Sequence, residues 1–227
     1  MPVTSLYAGT ALFDATPPNE EMSQTLLVER RDIGRTELLN ALAWASVCAR
    51  RAHAETFPER VETWLSGPFA KTARITEKPF TSCVRGAMVN DLTGAWVGSF
   101  GGRDAFNVAV LAPLGRDELP HVARRARLDR FPAAEPVIGD IPAHGDVVLL
   151  DASLAMSTGK AAAQAAHAAM ALDLNAALDR APAVVEVTHG DFEFLAGVAE
   201  VVIADAGRTE VVPGTRTALG LRGTLSW

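Results

Sequence analysis

Cysteine is scarce in this 227-residue chain, and the histidines are scattered. Cys48 and Cys83 are the only two cysteines, and they lack the spacing of metal ligands. We expect them to be reduced core residues and not a disulfide. The five histidines form no H-x-x-x-H pair, so the sequence gives a metal site little support. No cofactor is expected.

Long apolar runs are also missing. No stretch approaches the roughly 20 apolar residues that a membrane-spanning helix needs. The first 24 residues contain acidic residues and prolines, where a secretory signal would have a basic and then an apolar segment. The sequence therefore predicts a cytoplasmic protein without a membrane partner.

The chain also has no excess of positive charge. The net charge is −6, with 48% hydrophobic and 21% charged residues, as in an ordinary soluble globular protein. From Asp146 onward, five basic side chains stand against ten acidic ones. A nucleic-acid-binding protein usually has a basic surface. If this chain binds RNA, its positive surface must be local or supplied by the first part of the chain.

The most informative stretch begins just after residue 156. Val147–Leu150 is a short apolar run that predicts a buried strand. Ser157 or Thr158 can then cap a helix, and the alanine-rich segment that follows has a high helix propensity. Three polar side chains would project from one face of this helix, namely Lys160, Gln164 and His167.

Two sequence blocks resemble the signatures of a known family. Residues 159–168 read Gly-Lys-x-Ala-Ala-Gln-x-x-His-Ala, similar to the signature helix of the type-2 peptidyl-tRNA hydrolases, typical of archaea and eukaryotes. Residues 205–217 read Asp-Ala-Gly-Arg-Thr-Glu-Val-Val-Pro-Gly-Thr-Arg-Thr. The family's second signature is similar, with Asp-Ala-Gly-x-Thr-Gln and then Pro-Gly-Thr-x-Thr. The blocks occur in the family's order, and the resemblance covers about a third of the chain.

The resemblance implies hydrolysis of the ester between a peptide, or N-blocked aminoacyl group, and tRNA, which releases free tRNA. Four residues fall at the family's catalytic positions: Lys160, Gln164, Asp205 and Thr217. Lys160 would stabilise negative charge on a phosphate or on the oxyanion, and Gln164 would orient the carbonyl or the water. Asp205 would hold or polarise the water, and Thr217 would add a hydroxyl hydrogen bond. Three further residues are implied as substrate contacts: His167, Arg208 and Thr209.

Two departures from the family pattern leave a second hypothesis open. Ala155 stands where the family commonly has a basic residue, and Glu210 stands where it has glutamine. Both changes, together with the acidic charge, favour an alternative. In that alternative the chain is a non-catalytic protein on the same fold that binds a nucleotide or a protein partner.

The predicted architecture is α/β, with a mixed sheet and flanking helices in two or three layers, as the resemblance to type-2 peptidyl-tRNA hydrolases implies. We divide the chain into a leader (1–23), an N-terminal α/β half (24–115), a linker rich in proline and glycine (116–145) and the hydrolase-like domain (146–227). Asp205 follows the predicted strand Ala199–Ile203, at the strand end where such sheets usually bind ligands.

The N-terminal half repeats the strand–turn–helix order of the motif region. Residues 25–53 correspond to residues 147–178 in this reading, with Leu38 near the position of Lys160 and Leu42 near that of Gln164. We interpret this half as a degenerate copy without the signatures, although strand-then-helix is common enough for a chance likeness. A degenerate copy would predict a monomer that acts as an internal pseudo-dimer, and a homodimer is the alternative.

The remaining predictions concern the rest of the first 130 residues. Strands are expected at Ala70–Thr76 and Thr81–Val89, followed by a hairpin of Gly94–Phe100 with Asn107–Leu111. A helix is expected over Leu119–Leu128. Four arginines would make its surface basic, as an ordinary solvated face or as a contact for the tRNA backbone: Arg124, Arg125, Arg127 and Arg130.

Overall fold

A computed structural model describes residues 22–67, 70–76, 79–87, 94–102, 105–115, 117–126, 135–205 and 210–223. Residues 1–21 of the predicted leader lie outside the described residues. The chain divides into two compact units. The C-terminal unit contains residues 34–44 and the described residues from 135 onward, and the N-terminal unit contains the described residues of 22–33 and 45–126.

The N-terminal half contains one four-stranded sheet in the order β2-β1-β4-β3. Strands β1 and β2 are parallel, and β4 is antiparallel to both of its neighbours. Its elements are β1 (Ser23–Val28), α1 (Arg35–Thr56), α2 (Pro58–Leu65), β2 (Ala70–Ile75), α3 (Phe80–Ala87), β3 (Ala95–Phe100), β4 (Phe106–Leu111) and α4 (His121–Arg125).

The C-terminal half contains a second four-stranded sheet, in the order β6-β5-β8-β7. Strands β5 and β6 are parallel, and β8 is antiparallel to β5 and β7. Its elements are β5 (Val147–Asp151), a 3-10 turn (Ala152–Leu154), α5 (Thr158–Asn175), β6 (Ala183–Val187), α6 (His189–Ala196), β7 (Val201–Ala204) and β8 (Arg216–Leu221).

The two halves are similar, as the sequence predicts. Both sheets have the same strand order and the same pattern of parallel and antiparallel pairs. In the first sheet Val28 pairs with Val108, and in the second Leu150 pairs with Ala218 at the equivalent place. The offset between Val28 and Leu150 is the same as that between Leu38 and Lys160. The fold is therefore a mixed α/β fold whose two halves match in register.

One predicted strand is wrong. The sequence predicts a strand at Thr81–Val89, but residues 81–87 belong to helix α3, and Met88 and Val89 lie outside the described residues. Phe80 belongs to the core cluster of the first sheet, Val84 packs against that cluster, and Cys83 is buried. The spacing of these three residues is that of one helical face. A helix is more favourable than a strand here, because it buries these apolar side chains on one face, whereas a strand would divide them between two faces.

Helices cover both faces of the second sheet. Phe192 and Leu195 of α6 pack against Leu149 and Leu219 on one face. Helix α5 lies on the other face, where a Cβ on Gly220 would come within 2.6 Å of the Leu172 side chain. Glycine is needed there because α5 lies so close to β8. Within the described residues, no helix is long and apolar enough to span a membrane.

Candidate functional site at the edge of the second sheet

The C-terminal ends of three strands meet at one edge of the second sheet. Strands β5 and β6 are parallel, and β7 runs in the same direction because both β5 and β7 are antiparallel to β8. Helix α5 follows β5 after the short turn at Ala152–Leu154, so it begins at this edge. Polar residues at strand ends and at the start of a helix therefore come together here.

Helix α5 begins where the sequence predicts. Ser157 is its N-cap, and its Oγ accepts a hydrogen bond from the backbone N–H of Lys160 at 3.3 Å. Most of the following alanines are buried against the sheet. Small side chains let the helix approach the sheet closely, which brings the polar side chains of α5 within reach of β7 and β8.

Four polar side chains at this edge form a continuous hydrogen-bonded cluster. The Lys160 ammonium donates to Asp205 Oδ2. Gln164 Nε2 donates to the same oxygen at 2.8 Å, and Thr217 Oγ1 donates to Gln164 Oε1 at 2.9 Å. We call Lys160, Gln164, Asp205 and Thr217 the four-residue cluster. These are the four residues that the resemblance places at catalytic positions, and the fold brings all of them together.

The cluster is largely sequestered from water, with its cation least so. The side chains of Asp205 and Lys160 are 4% and 13% exposed. Gln164 and Thr217 are buried. The Gln164 amide is held at both ends, because its nitrogen donates to Asp205 and its oxygen accepts from Thr217. A fixed amide and a fixed ammonium are preorganised donors of the kind that stabilise a developing oxyanion.

A β-bulge directs Thr217 toward this cluster. Leu219 and Leu221 of β8 belong to the core on the α6 side, so strict alternation would put Thr217 on that side too. The register between β7 and β8 shifts at Ile203 and Ala204. A bulge can re-aim a side chain, and here the Thr217 hydroxyl reaches Gln164 of α5 on the opposite face.

Asp205 is positioned by backbone hydrogen bonds to residues just before β8. Its backbone N–H donates to Thr215 O at 2.9 Å, and its carbonyl accepts from Gly214 N–H at 2.7 Å. Gly214 has a φ of +80°, a conformation that favours glycine. The turn at Pro213–Thr215 therefore fixes the backbone from which the Asp205 carboxylate projects.

The other predicted site residues have different outcomes. His167 is half-buried, three residues beyond Gln164 on α5. Arg208 and Thr209 lie outside the described residues, as do Arg127 and Arg130. Arg124 and Arg125 are exposed on α4 in the N-terminal unit. The contacts proposed for these residues remain predictions.

Glu210 contacts the N-terminus of α5. One carboxylate oxygen accepts from the backbone N–H of Ser157 at 2.8 Å, and the other accepts from the Ser157 hydroxyl at 2.6 Å. A carboxylate is favourable at a helix N-terminus because of the backbone N–H groups and the helix dipole. Glu210 therefore places a negative charge at the helix N-terminus, next to the cluster.

A buried arginine supports the start of α5, and sequence reasoning missed it. Arg35 binds the Glu186 carboxylate through Nε at 3.0 Å and through Nη2 at 2.7 Å. Its Nη1 donates to the Thr158 hydroxyl at 3.0 Å, and Nη2 also donates to Met156 O. Because Thr158 is the first residue of α5, Arg35 holds the end of the helix that carries Lys160. The available signal was Glu186, a charge within an apolar strand that requires a partner.

An aspartate–histidine pair at the same edge was also missed. Asp151 ends β5, and its buried carboxylate lies 2.7 Å from Nδ1 of His189, the first residue of α6. The other Asp151 oxygen accepts from Ser153 N–H and from its hydroxyl. Asp151 follows the apolar run Val147–Leu150, and His189 lies two residues after β6. Polar residues near the ends of two neighbouring strands are the sequence signal that would have found the pair.

The site is built for polar chemistry on an anionic or carbonyl-containing ligand. It offers a cation, an oriented amide, a buried carboxylate and a hydroxyl within one hydrogen-bonded group. Among the described residues, no group of three or more His, Cys, Asp or Glu side chains could hold a metal ion. No protein-family model, curated protein or solved structure matches this chain.

Proposed function

We propose that this chain hydrolyses the ester that joins a peptide to the 3′ ribose of tRNA. The observation that carries the proposal is the four-residue cluster, in which Lys160 and Gln164 both donate to Asp205 while Thr217 fixes the Gln164 amide. Gln164 and Thr217 are 53 positions apart in sequence and lie on different elements, yet they belong to one hydrogen-bonded cluster. Convergence of this kind at a sheet edge is the geometry expected of a reaction site.

The chemistry follows from the character of each group. Attack of water on an ester places negative charge on the carbonyl oxygen, and the Lys160 ammonium stabilises that charge in a poorly hydrated environment. A carboxylate oxygen of Asp205 orients the attacking water. The Gln164 amide holds the ester carbonyl or the water in position, and Thr217 keeps the amide in one orientation. These groups supply orientation and electrostatic stabilisation, and the reaction needs no covalent intermediate.

The test is release of labelled peptide from an N-blocked aminoacyl-tRNA. We compare the wild type with Asp205→Asn, which keeps the shape of the side chain and removes its charge. Asp179→Asn is the matched control, because Asp179 is an exposed aspartate of the same unit. We expect turnover by the wild type and the control, and a loss of about 100-fold or more in Asp205→Asn. Equal turnover in all three proteins would contradict the proposed role of the cluster.

Glu210 favours a second candidate function. Its carboxylate already occupies the N-terminus of α5, so a substrate phosphate would be repelled at that position. In this alternative the chain binds a nucleotide or a protein partner without turnover. Specific binding of deacylated tRNA or a mononucleotide by a purified wild type that releases no peptide would support the second candidate. Turnover in the wild type would exclude it.

A further inference from the structure

The Asp151–His189 pair is arranged to present an imidazole to solvent. The Asp151 side chain is 2% exposed, whereas the His189 side chain is 63% exposed. Because Nδ1 faces the buried carboxylate, Nε2 lies on the outward side of the ring. The hydrogen bond that Nδ1–H donates to Asp151, and then the charge of Asp151, raise the pKa of His189. The buried carboxylate thus favours the imidazolium form and holds its orientation.

A second cation lies near this imidazole. Arg216, at the start of β8, forms an ion pair with Glu193 of α6, and both side chains are partly exposed. Glu193 and Arg216 both influence the charge state of His189, in opposite directions. The charged groups that shift the pKa of His189 are therefore Asp151 on β5, Glu193 on the same helix as His189, and Arg216 on β8. The outward surface thus carries Arg216, the Glu193 carboxylate and, when it is protonated, the His189 imidazolium, whereas the Asp151 carboxylate is buried.

This group lies on the other face of the sheet from the four-residue cluster, at the same edge. Arg216 contacts Glu193 of α6, while the next residue, Thr217, contacts Gln164 of α5. The Cα atoms of consecutive residues are only about 3.8 Å apart. The two groups are therefore joined through neighbouring positions of one strand, and an extended ligand that crosses this edge can contact both.

We propose that His189 and Arg216 form a binding site for an RNA phosphodiester on the α6 side of this edge. The identity of the RNA rests on the proposed function, in which the ester lies at Lys160 and the phosphodiesters of the tRNA 3′ end extend away from it. Two outward cations suit a phosphate, which accepts charge-assisted hydrogen bonds from imidazolium and guanidinium groups. This site places basic side chains at one edge of the acidic C-terminal half, where each is paired with a carboxylate.

A role in phosphate binding fits the position of His189 better than a role as general base. A general base must lie within hydrogen-bond reach of the attacking water, directly or through one water. His189 pairs with Asp151 on the α6 face of the second sheet. The four-residue cluster, which would hold the ester, lies on the α5 face. The histidine thus contacts the substrate at some distance from the reacting bond, where it affects affinity more than the chemical step.

The test measures binding of deacylated tRNA, which requires no turnover. Dissociation constants are compared at about pH 6 and about pH 8 for the wild type, His189→Gln and Glu193→Gln. His121→Gln is the matched control, because His121 is an exposed histidine of the N-terminal unit. We expect the wild type and the control to bind about 3- to 10-fold more tightly at the lower pH, and His189→Gln to lose most of that difference. Glu193→Gln should bind more tightly, because it releases Arg216.

The outcomes separate this site from the proposed hydrolase activity. Identical dissociation constants and pH dependence in the wild type and His189→Gln would overturn the phosphate site, whether or not the protein hydrolyses peptidyl-tRNA. If His189→Gln loses the pH dependence of binding and the wild type shows no turnover, the phosphate site stands and the proposed hydrolase activity is overturned. In an active protein, the effect of His189→Gln should fall on KM more than on kcat.

Discussion

The two halves of this chain have the same sheet topology but differ in what their equivalent positions carry. Lys160 and Gln164 on α5 correspond to Leu38 and Leu42 on α1, which are fully buried. Thr217 corresponds to Asn107, whose side-chain amide donates to Glu29 at 2.8 Å. The same backbone therefore supports an apolar helix face in one half and a charged, hydrogen-bonded cluster in the other.

The comparison shows that the fold does not by itself make the site. What distinguishes the C-terminal half is a small set of polar residues at one sheet edge, together with the bulge that re-aims Thr217. Replacing these residues with their counterparts from the N-terminal half should erase the function while keeping the fold.

The largest effect is expected from Lys160→Leu, which installs the residue of the N-terminal half. Without the ammonium, the oxyanion loses its main electrostatic stabilisation, and peptide release should fall by about 100- to 1,000-fold. The assay is peptide release, with circular dichroism and thermal unfolding to establish folding. Arg180→Leu, at an exposed cation of the same unit, is the control. Retention of more than half of the activity in Lys160→Leu would remove Lys160 from the mechanism.

Breaking the buried Arg35–Glu186 pair should destabilise the protein most. Arg35→Met leaves the Glu186 carboxylate buried without its cation, and the free energy of unfolding should fall by about 3 to 5 kcal/mol. At the register position of Glu186, the first sheet has Ile75. The double variant Arg35→Met/Glu186→Ile should recover part of the loss, as measured by urea unfolding. A single variant as stable as the wild type would show that the pair does not hold α5.

Acid should affect the two halves in opposite ways. Burial, and then the charge of Lys71, lower the pKa of His53 from 6.5 to about 4. The unfolded state then binds more protons than the folded state between about pH 6.5 and pH 4, so stability falls as the pH falls through this window, by at most about 3 kcal/mol. For His189 the raised pKa has the opposite sign, and its contribution is lost as the pH rises through the folded-state pKa.

Urea unfolding at several pH values tests this difference. In His53→Leu the free energy of unfolding should fall less between about pH 6.5 and pH 4 than it does in the wild type. In His189→Gln it should fall over this range as it does in the wild type. An unchanged acid slope in His53→Leu would show that His53 is not a buried neutral histidine.

The smallest effect is expected at Ala155, which has a φ of +46°. An alanine in this left-handed conformation is strained, so Ala155→Gly should raise the free energy of unfolding by about 0.5 to 1 kcal/mol. Ala152→Gly, in the preceding 3-10 turn, should lower it instead. Thermal unfolding measures both. Destabilisation by Ala155→Gly would mean that the strain is not relieved by removing the Cβ.

Much of the C-terminal half was predictable because its signals are local. The start of α5 follows from Ser157 and the alanines, and the predicted strand Val147–Leu150 lies within β5. Helix α3 was predicted as a strand, although the spacing of Phe80, Cys83 and Val84 is that of one helical face. Contacts between distant residues were beyond local reasoning. Arg35 and Glu186 are 151 residues apart, and nothing near either one indicates its partner.

The most direct test of the hydrolase proposal is hydrolysis of an N-blocked aminoacyl-tRNA in water enriched in ¹⁸O, followed by mass spectrometry of both products. The account predicts that the wild type releases a peptide with one ¹⁸O in its carboxylate and leaves the tRNA 3′ hydroxyl unlabelled, because water attacks the carbonyl. Asp205→Asn should release little of either product. An unchanged substrate, or label in the RNA and not in the peptide, would contradict ester hydrolysis at this site.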